Sequence, residues 1–311
     1  MHTTTSGIRV LLIIVLSQLP GMAAPRIGVL LKDRDLFFAA VQKGAEEEGK
    51  VLNVDLVIKA PSKANAPGQQ LTLLAALEKE SLDALVISPL AADEFKEPVA
   101  RFVTKGVKVV ALDSPLPEGL ANTFVRYDQK SLGEAVARYA AGLIKDGDEA
   151  AMLRANTIET ISEREKAIIN TLKGISPNLK LYLDVMAGAQ KGDDYDQSAL
   201  LLSRHPNVKV VITPISAGTL GMMKAIKEKN LAGKIQHVGF GVGLPDEVVA
   251  AIESGAMQGW IAQEPRMFGV KGIDAAVDLI NGKKVPPVID IEYQIVTKAN
   301  LHDPNVQALR N

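Results

Sequence analysis

The densest concentration of potential chemistry is Lys32-Asp33-Arg34-Asp35-Leu36-Phe37-Phe38, four consecutive charges followed closely by two of the chain's seven phenylalanines. An aromatic pair beside charged hydrogen-bonding groups suits a sugar, which offers apolar C–H faces and a rim of hydroxyls. The same residues would also serve as two rings packed under a helix with solvated charges beside them. Asp113-Ser114 ends an apolar run, where a carboxylate could accept two hydroxyl hydrogens or cap the next segment. Glu163-Arg164-Glu165 opens a helical stretch and, by composition alone, reads as a surface charge run. Gln263 follows Trp260-Ile261-Ala262, and its amide could meet a ligand or satisfy backbone groups.

Enzyme motifs fare worse. Gly239-Phe240-Gly241-Val242-Gly243 follows a strand-like run, but its spacing is G-x-G-x-G, so it reads as a turn needing small residues. No G-x-x-x-x-G-K-[ST], G-x-S-x-G or H-E-x-x-H occurs. The four histidines, His2, His205, His237 and His302, show no ligand spacing. Asp193-Asp194-Tyr195-Asp196 suits the positive end of a helix better than a metal loop. The absence of cysteine removes disulfides, thiolate metal sites and cysteine nucleophiles together. A formal net charge of −1 carries no basic footprint for nucleic acid. No catalytic residue, metal or cofactor is expected.

These candidates must be positioned by an alternation of short apolar runs and amphipathic stretches. Strands are expected at 27–31, 54–58, 84–88 and 107–113, with helices at 36–48, 69–80 and 94–105. The alternation restarts with strands at 150–153, 181–186, 208–213, 235–240 and 260–263. Helices at 162–172, 195–204, 218–229, 245–254 and 266–280 lie between or after them. Fully apolar strands between helices imply a parallel sheet covered on both faces. Two such runs predict an α/β chain of two doubly wound lobes, and no Gly/Ser linker separates them. In open parallel sheets ligands sit at the C-terminal ends of strands. The residues named above stand there.

At the N-terminus, Arg9 precedes an apolar run at 10–16, then Pro20-Gly21 and Ala23-Ala24. That is the order of a secretory signal, with cleavage expected after Ala23 or Ala24. The run is well short of the ~20 residues that span a bilayer. The mature chain is expected to be exported and soluble.

Several segments together make the chain resemble the type I periplasmic sugar-binding proteins of the ribose- and galactose-binding group. They are 26–31 followed by Phe37-Phe38 and Gly44-Ala45, then 109–113, 162–164 and His205-Pro206-Asn207-Val208. Leu220-Gly221, Val238-Gly239-Phe240, Ile261-Ala262-Gln263 and Asn281-Gly282-Lys283 complete the set. The resemblance implies two lobes joined by three crossovers, near Tyr127-Asp128, Gln263-Glu264 and residues 290–292. One lobe would hold 24–127 plus 264–290, the other 128–263 plus 291–311. It further implies Phe37 and Phe38 against the sugar, Asp35 as a first-loop contact and Asp113 on hydroxyls. Arg164 would be the arginine of the second lobe and Gln263 the hinge amide.

There are departures from that pattern. Ser114 stands where ribose binders carry arginine, Ile215 where they carry asparagine, and Gly241 where an aspartate usually follows Gly-Phe. Lys32, Asp113-Ser114 and Pro214 look more like the subgroup of autoinducer-2 and rhamnose binders. The implied function is a periplasmic receptor that closes around a small sugar or polyol and docks transiently on an ABC permease. A monomer is expected, with no nucleic-acid partner. The alternatives at this level are an autoinducer-2-like signal receptor, a sugar-responsive regulator core, or an enzyme on the same fold.

Overall fold

A computed structural model describes residues 23–155, 159–186 and 193–310. The leader expectation rests mainly on residues 1–22, which lie outside the described residues. No helix among the described residues is long and apolar enough to cross a membrane.

The first run of elements is β1 (Arg26–Leu30), α1 (Leu36–Val51), β2 (Asp55–Lys59), α2 (Pro67–Leu77), β3 (Ala84–Ile87), α3 (Lys96–Thr104), β4 (Lys108–Leu112) and β5 (Thr123–Arg126). The second run opens with α4 (Gln129–Ala141), β6 (Glu149–Arg154), α5 (Glu159–Ile175), β7 (Lys180–Val185) and α6 (Asp193–Arg204). It continues with β8 (Val208–Thr213), α7 (Ser216–Glu228), β9 (Gln236–Val242), α8 (Asp246–Glu253) and β10 (Gly259–Gln263). The chain then gives α9 (Arg266–Ile280), β11 (Val288–Asp290), β12 (Tyr293–Val296) and α10 (Pro304–Gln307).

The strands form two six-stranded sheets, ordered β11-β5-β4-β3-β1-β2 and β12-β10-β9-β8-β6-β7. All strand pairs of the first are parallel, and the second is parallel except where β12 runs against β10. This is the two-lobed α/β architecture expected from the sequence. The chain passes between the sheets three times: after β5, after β10, and between β11 and β12.

The apolar runs are central strands buried on both faces. In β3 and β4, Leu85, Ile87 and Val109 pack toward α2 and α3, while Val86, Val110 and Leu112 pack toward α1 and α9. Helices α1 and α9 approach so closely that a Cβ on Gly44 would lie 2.0 Å from the Arg266 carbonyl oxygen. Gly44 therefore permits the packing of the returning helix on the first lobe.

Three features differ from the sequence expectation. No element was expected between 113 and 150, yet β5 and α4 lie there. Helix α4 buries Leu132, Val136, Ala137 and Ala140, a stripe half made of alanine and therefore faint in hydropathy. The Gly239–Gly243 stretch is not a turn: β9 runs through to Val242, and only Gly243, at φ 60°, leaves the strand. β11, β12 and α10 are too short to show a period.

Candidate functional site

The first-lobe half of the site lies where β1 and β4 end. Asp113 takes a left-handed conformation, φ 60°, one residue past β4, while its N–H still bonds the Val125 carbonyl at 2.9 Å. That turn brings its carboxylate to the end of the neighbouring strands. Lys32 Nζ lies 2.5 Å from Asp113 Oδ2 and donates to Ser114 Oγ at 2.7 Å. The same ammonium stands 5.6 Å from the Phe38 ring centroid.

Asp35 caps α1, its Oδ1 accepting from the Phe38 N–H at 2.9 Å. Burial raises its pKa, the cap hydrogen bonds oppose that, and the charges of Asp33 and Asp113 add to it. Phe37 and Phe38 meet edge-on at 5.1 Å, Phe37 reaches Phe268 at 5.6 Å, and Phe268 meets Tyr127 at 5.0 Å. The Tyr127 hydroxyl accepts from the Glu264 N–H at 2.9 Å, binding the first crossover to the second. Burial pushes the Tyr127 pKa up, with Arg164 and Asp113 among the charges that face it.

The second-lobe half centres on Arg164, 2% exposed on α5. Its Nε donates to Gln129 Oε1 at 2.9 Å and its Nη1 to the Pro214 carbonyl at 2.7 Å. Its Cζ lies 4.7 Å from the Phe240 ring centroid. Burial lowers its pKa to about 10, opposed chiefly by the charge of Asp113 across the site. Glu165 is fully buried as well, bonding Arg154 Nε at 2.9 Å and the Ala155 N–H at 2.6 Å. The surface-charge reading of 163–165 therefore fails for both residues. A three-residue charge run cannot reveal that two of its members turn inward.

Behind Pro214, Thr213 Oγ1 lies 2.9 Å from both Thr219 Oγ1 and His237 Nε2. His237 is fully buried and its pKa is pushed down to about 3, so the imidazole is neutral. Gly241 has a steric reason: a Cβ there would lie 2.0 Å from Trp260 Cη2. The indole fills that space and donates from Nε1 to the Gly243 carbonyl at 2.7 Å.

Lys32 thus meets Phe38, Asp113 and Ser114 at once, with the Asp35 charge beside Asp113. Phe37 joins through Phe38 and Phe268. Arg164 is hydrogen-bonded to the Pro214 carbonyl, and its charge faces Asp113 from the second lobe. Gln263 ends β10, 8% exposed, and its side chain makes no hydrogen bond among the described residues. Tyr127, Gln129 and Phe240 were not singled out as site side chains. The available signal was the crossover at Tyr127-Asp128, which Gln129 directly follows. No group of three or more potential metal ligands occurs among the described residues.

Comparison with known proteins adds three findings. A family described as "Periplasmic binding protein domain" matches residues 27–284. The D-allose-binding periplasmic protein of Escherichia coli is 27% identical over 276 residues, 86% of this chain and 88% of that protein. Ribose import binding protein RbsB of Bacillus subtilis is 25% identical over 263 residues, 84% of this chain and 83% of that protein. A carbohydrate transporter solute binding protein from Agrobacterium radiobacter, solved in complex with D-arabinose, superposes with a TM-score of 0.81. It is 26% identical and covers 94% of this chain and 100% of that one.

Proposed function

The chain belongs to the periplasmic binding protein domain family, and on that premise we propose that it is the solute-binding component of an ABC transporter, capturing a small sugar or sugar-like polyol in the periplasm. The observation that carries this reading is the meeting of two unlike halves at the strand ends. The first lobe offers Lys32, Asp113 and Ser114 beside aromatic rings, and the second offers Arg164. The relatives named above are binding proteins, and the ligand here is held without any bond being made or broken.

Ligand contacts from both lobes favour the closed arrangement, because only that arrangement makes both sets at once. Lys32, Asp35, Asp113, Ser114 and Arg164 supply polar contacts, Phe37 and Phe38 the apolar face, and Pro214 and Gln263 the rim near the crossovers. The lobes comprise 24–127 plus 264–290, and 128–263 plus 291–311; membership of β11 in the first sheet and β12 in the second supports that division. The protein acts as a monomer and docks on its membrane permease once closed.

The test is calorimetric titration with D-allose, D-ribose, D-arabinose, short polyols and autoinducer-2, alongside small-angle scattering. One of them should bind, raise the melting temperature and compact the protein. Scattering profiles that stay identical at saturation would count against closure. Chemical conversion of the added compound would count against a pure binding role.

A further inference from the structure

Arg164 is held in place by a residue that offers no sequence motif of its own. An arginine side chain has five N–H donors in a rigid fork. Two of them go to neutral oxygens, Gln129 Oε1 and the Pro214 carbonyl, and none is accepted by a carboxylate among the described residues. These two bonds, with the Phe240 ring at 4.7 Å, fix the plane of the guanidinium. The remaining hydrogens are on Nη1 and Nη2.

Gln129 is an unusual occupant of its position. It is the first residue of α4, where acidic or small polar side chains serve the helix best. The cap is already supplied by Asp128, whose Oδ1 accepts from the Ser131 N–H at 3.0 Å. Gln129 therefore contributes nothing to the cap, yet it is 7% exposed and gives its side-chain oxygen to Arg164 Nε. Helix α4 also fixes the backbone of Arg164. A Cβ on Gly133 would lie 2.6 Å from the Arg164 carbonyl oxygen, so α4 and α5 touch backbone to backbone there.

We propose that Gln129 is a positioning residue for ligand binding: it orients Arg164 by its Nε so that the Nη hydrogens meet the ligand opposite Asp113. Because Gln129 directly follows the first crossover, the arginine takes its orientation from the segment about which the lobes move. Its own amide touches the arginine and not the ligand. The inference rests on the carbohydrate-binding reading above.

The experiment compares Gln129→Leu, Gln129→Glu, Arg164→Met and the double variant Gln129→Leu/Arg164→Met, titrated with D-allose, D-ribose and D-arabinose. Gln129→Leu removes the acceptor and should weaken binding about tenfold, the scale of one hydrogen bond to a charged group. Gln129→Glu retains an acceptor and should stay within about threefold. In the Arg164→Met background Gln129→Leu should change nothing, since the two residues act through one contact. A loss of equal size with and without Arg164 would make Gln129 merely structural and overturn the proposal. So would wild-type affinity in Gln129→Leu. If Gln129→Leu does not fold, Gln129→Ala carries the same arms.

Hydrogen exchange at the Arg164 Nε–H, read by NMR without any sugar, decides the geometry separately. It should be slow in wild type and Gln129→Glu and fast in Gln129→Leu, and equal rates in all three would overturn the contact. If neither these sugars nor the polyols and autoinducer-2 of the earlier test bind the wild type, the proposed binding function fails on its own terms while the exchange rates still judge the contact.

Discussion

The two lobes bring the same ends of the same kind of sheet to the site but equip them differently. In the first lobe a cation and an anion are paired within the protein, Lys32 on Asp113 at 2.5 Å, so the Lys32 charge is met locally. In the second, Arg164 is held by an amide oxygen and a backbone carbonyl, so its charge is oriented but not cancelled locally. The supports differ in the same sense. Gln70 ties the first lobe's strand ends, donating from Nε2 to the Leu31 and Ser88 carbonyls at 3.1 and 2.7 Å and accepting from the Leu90 N–H at 2.9 Å. The second lobe instead has Thr213, at the end of β8, bonded to Thr219 and His237. An amide does not titrate and an imidazole does. On the proposed reading, the first half is a settled surface and the second holds a charge that a ligand can complete.

The strongest way to break this comparison is to remove the arginine. A hydrogen bond involving a charged group contributes roughly 1.5–3 kcal/mol, so Arg164→Ala should weaken sugar binding about 10- to 150-fold. Asp113→Ala should act in the same direction, and the two effects should couple, because losing either lobe's grip also removes the drive to close. Calorimetric titration of the two single variants and the double variant measures this. Wild-type affinity in Arg164→Ala would remove the second half from the site altogether.

Acid should act on the second lobe first. His237 has its pKa lowered to about 3 by burial, against an ordinary value near 6.5. The unfolded chain therefore binds a proton below about pH 6.5 that the folded chain refuses. Stability is fully present above that pH and falls as pH drops toward 3, by about 1.4 kcal/mol per unit. At pH 5 that is about 2 kcal/mol, absent in His237→Gln, whose melting temperature should depend less steeply on pH. Amide hydrogen exchange should locate the loss in β8 and β9 while β1 and β3, tied by Gln70, stay protected. Equal loosening in both lobes would erase the contrast between the two supports.

The alternation of apolar strands and amphipathic helices was legible because parallel strands buried on both faces write continuous hydrophobic runs. Helix α9 was read to its ends for a related reason: it buries Phe268, Gly272 and Ala276 four residues apart, with Gly269 and Ile273 beside them. The α4 stripe of alanine and valine was too faint to read, so the first crossover became visible only through family resemblance. At the candidate site, a carboxylate closing an apolar run left Asp113 open between meeting hydroxyls and capping the next segment, and only the resemblance chose between them. Arg164 could not be read from its neighbours, since Glu163 and Glu165 flank it identically and only the fold decides which face is buried. Gln129 was illegible in principle. An amide after a helix cap signals nothing until the residue it bonds, 35 positions later, is known.

The smallest expected effect sharpens the first half of the comparison. Lys32 and Asp113 are each largely shielded, at 17% and 14% side-chain exposure, so their pairing should exceed a surface ion pair without reaching the cost of a dry one. Lys32→Met leaves the Asp113 carboxylate without its cation and should destabilise the protein by about 1 kcal/mol. Much of that loss is the stranded charge, not the missing bond, because an unpartnered buried group costs more than the bond itself provides. Adding Asp113→Asn to Lys32→Met should therefore recover part of the stability, although it removes a further charged contact. Thermal denaturation of the two variants measures the recovery, and sugar titration of Lys32→Met shows whether the two halves differ in weight. If the first half is internally settled, Lys32→Met costs clearly less affinity than Arg164→Ala. Equal losses would mean that the Lys32 contact weighs as heavily on the ligand as that of Arg164, and that the first half is no more self-contained than the second.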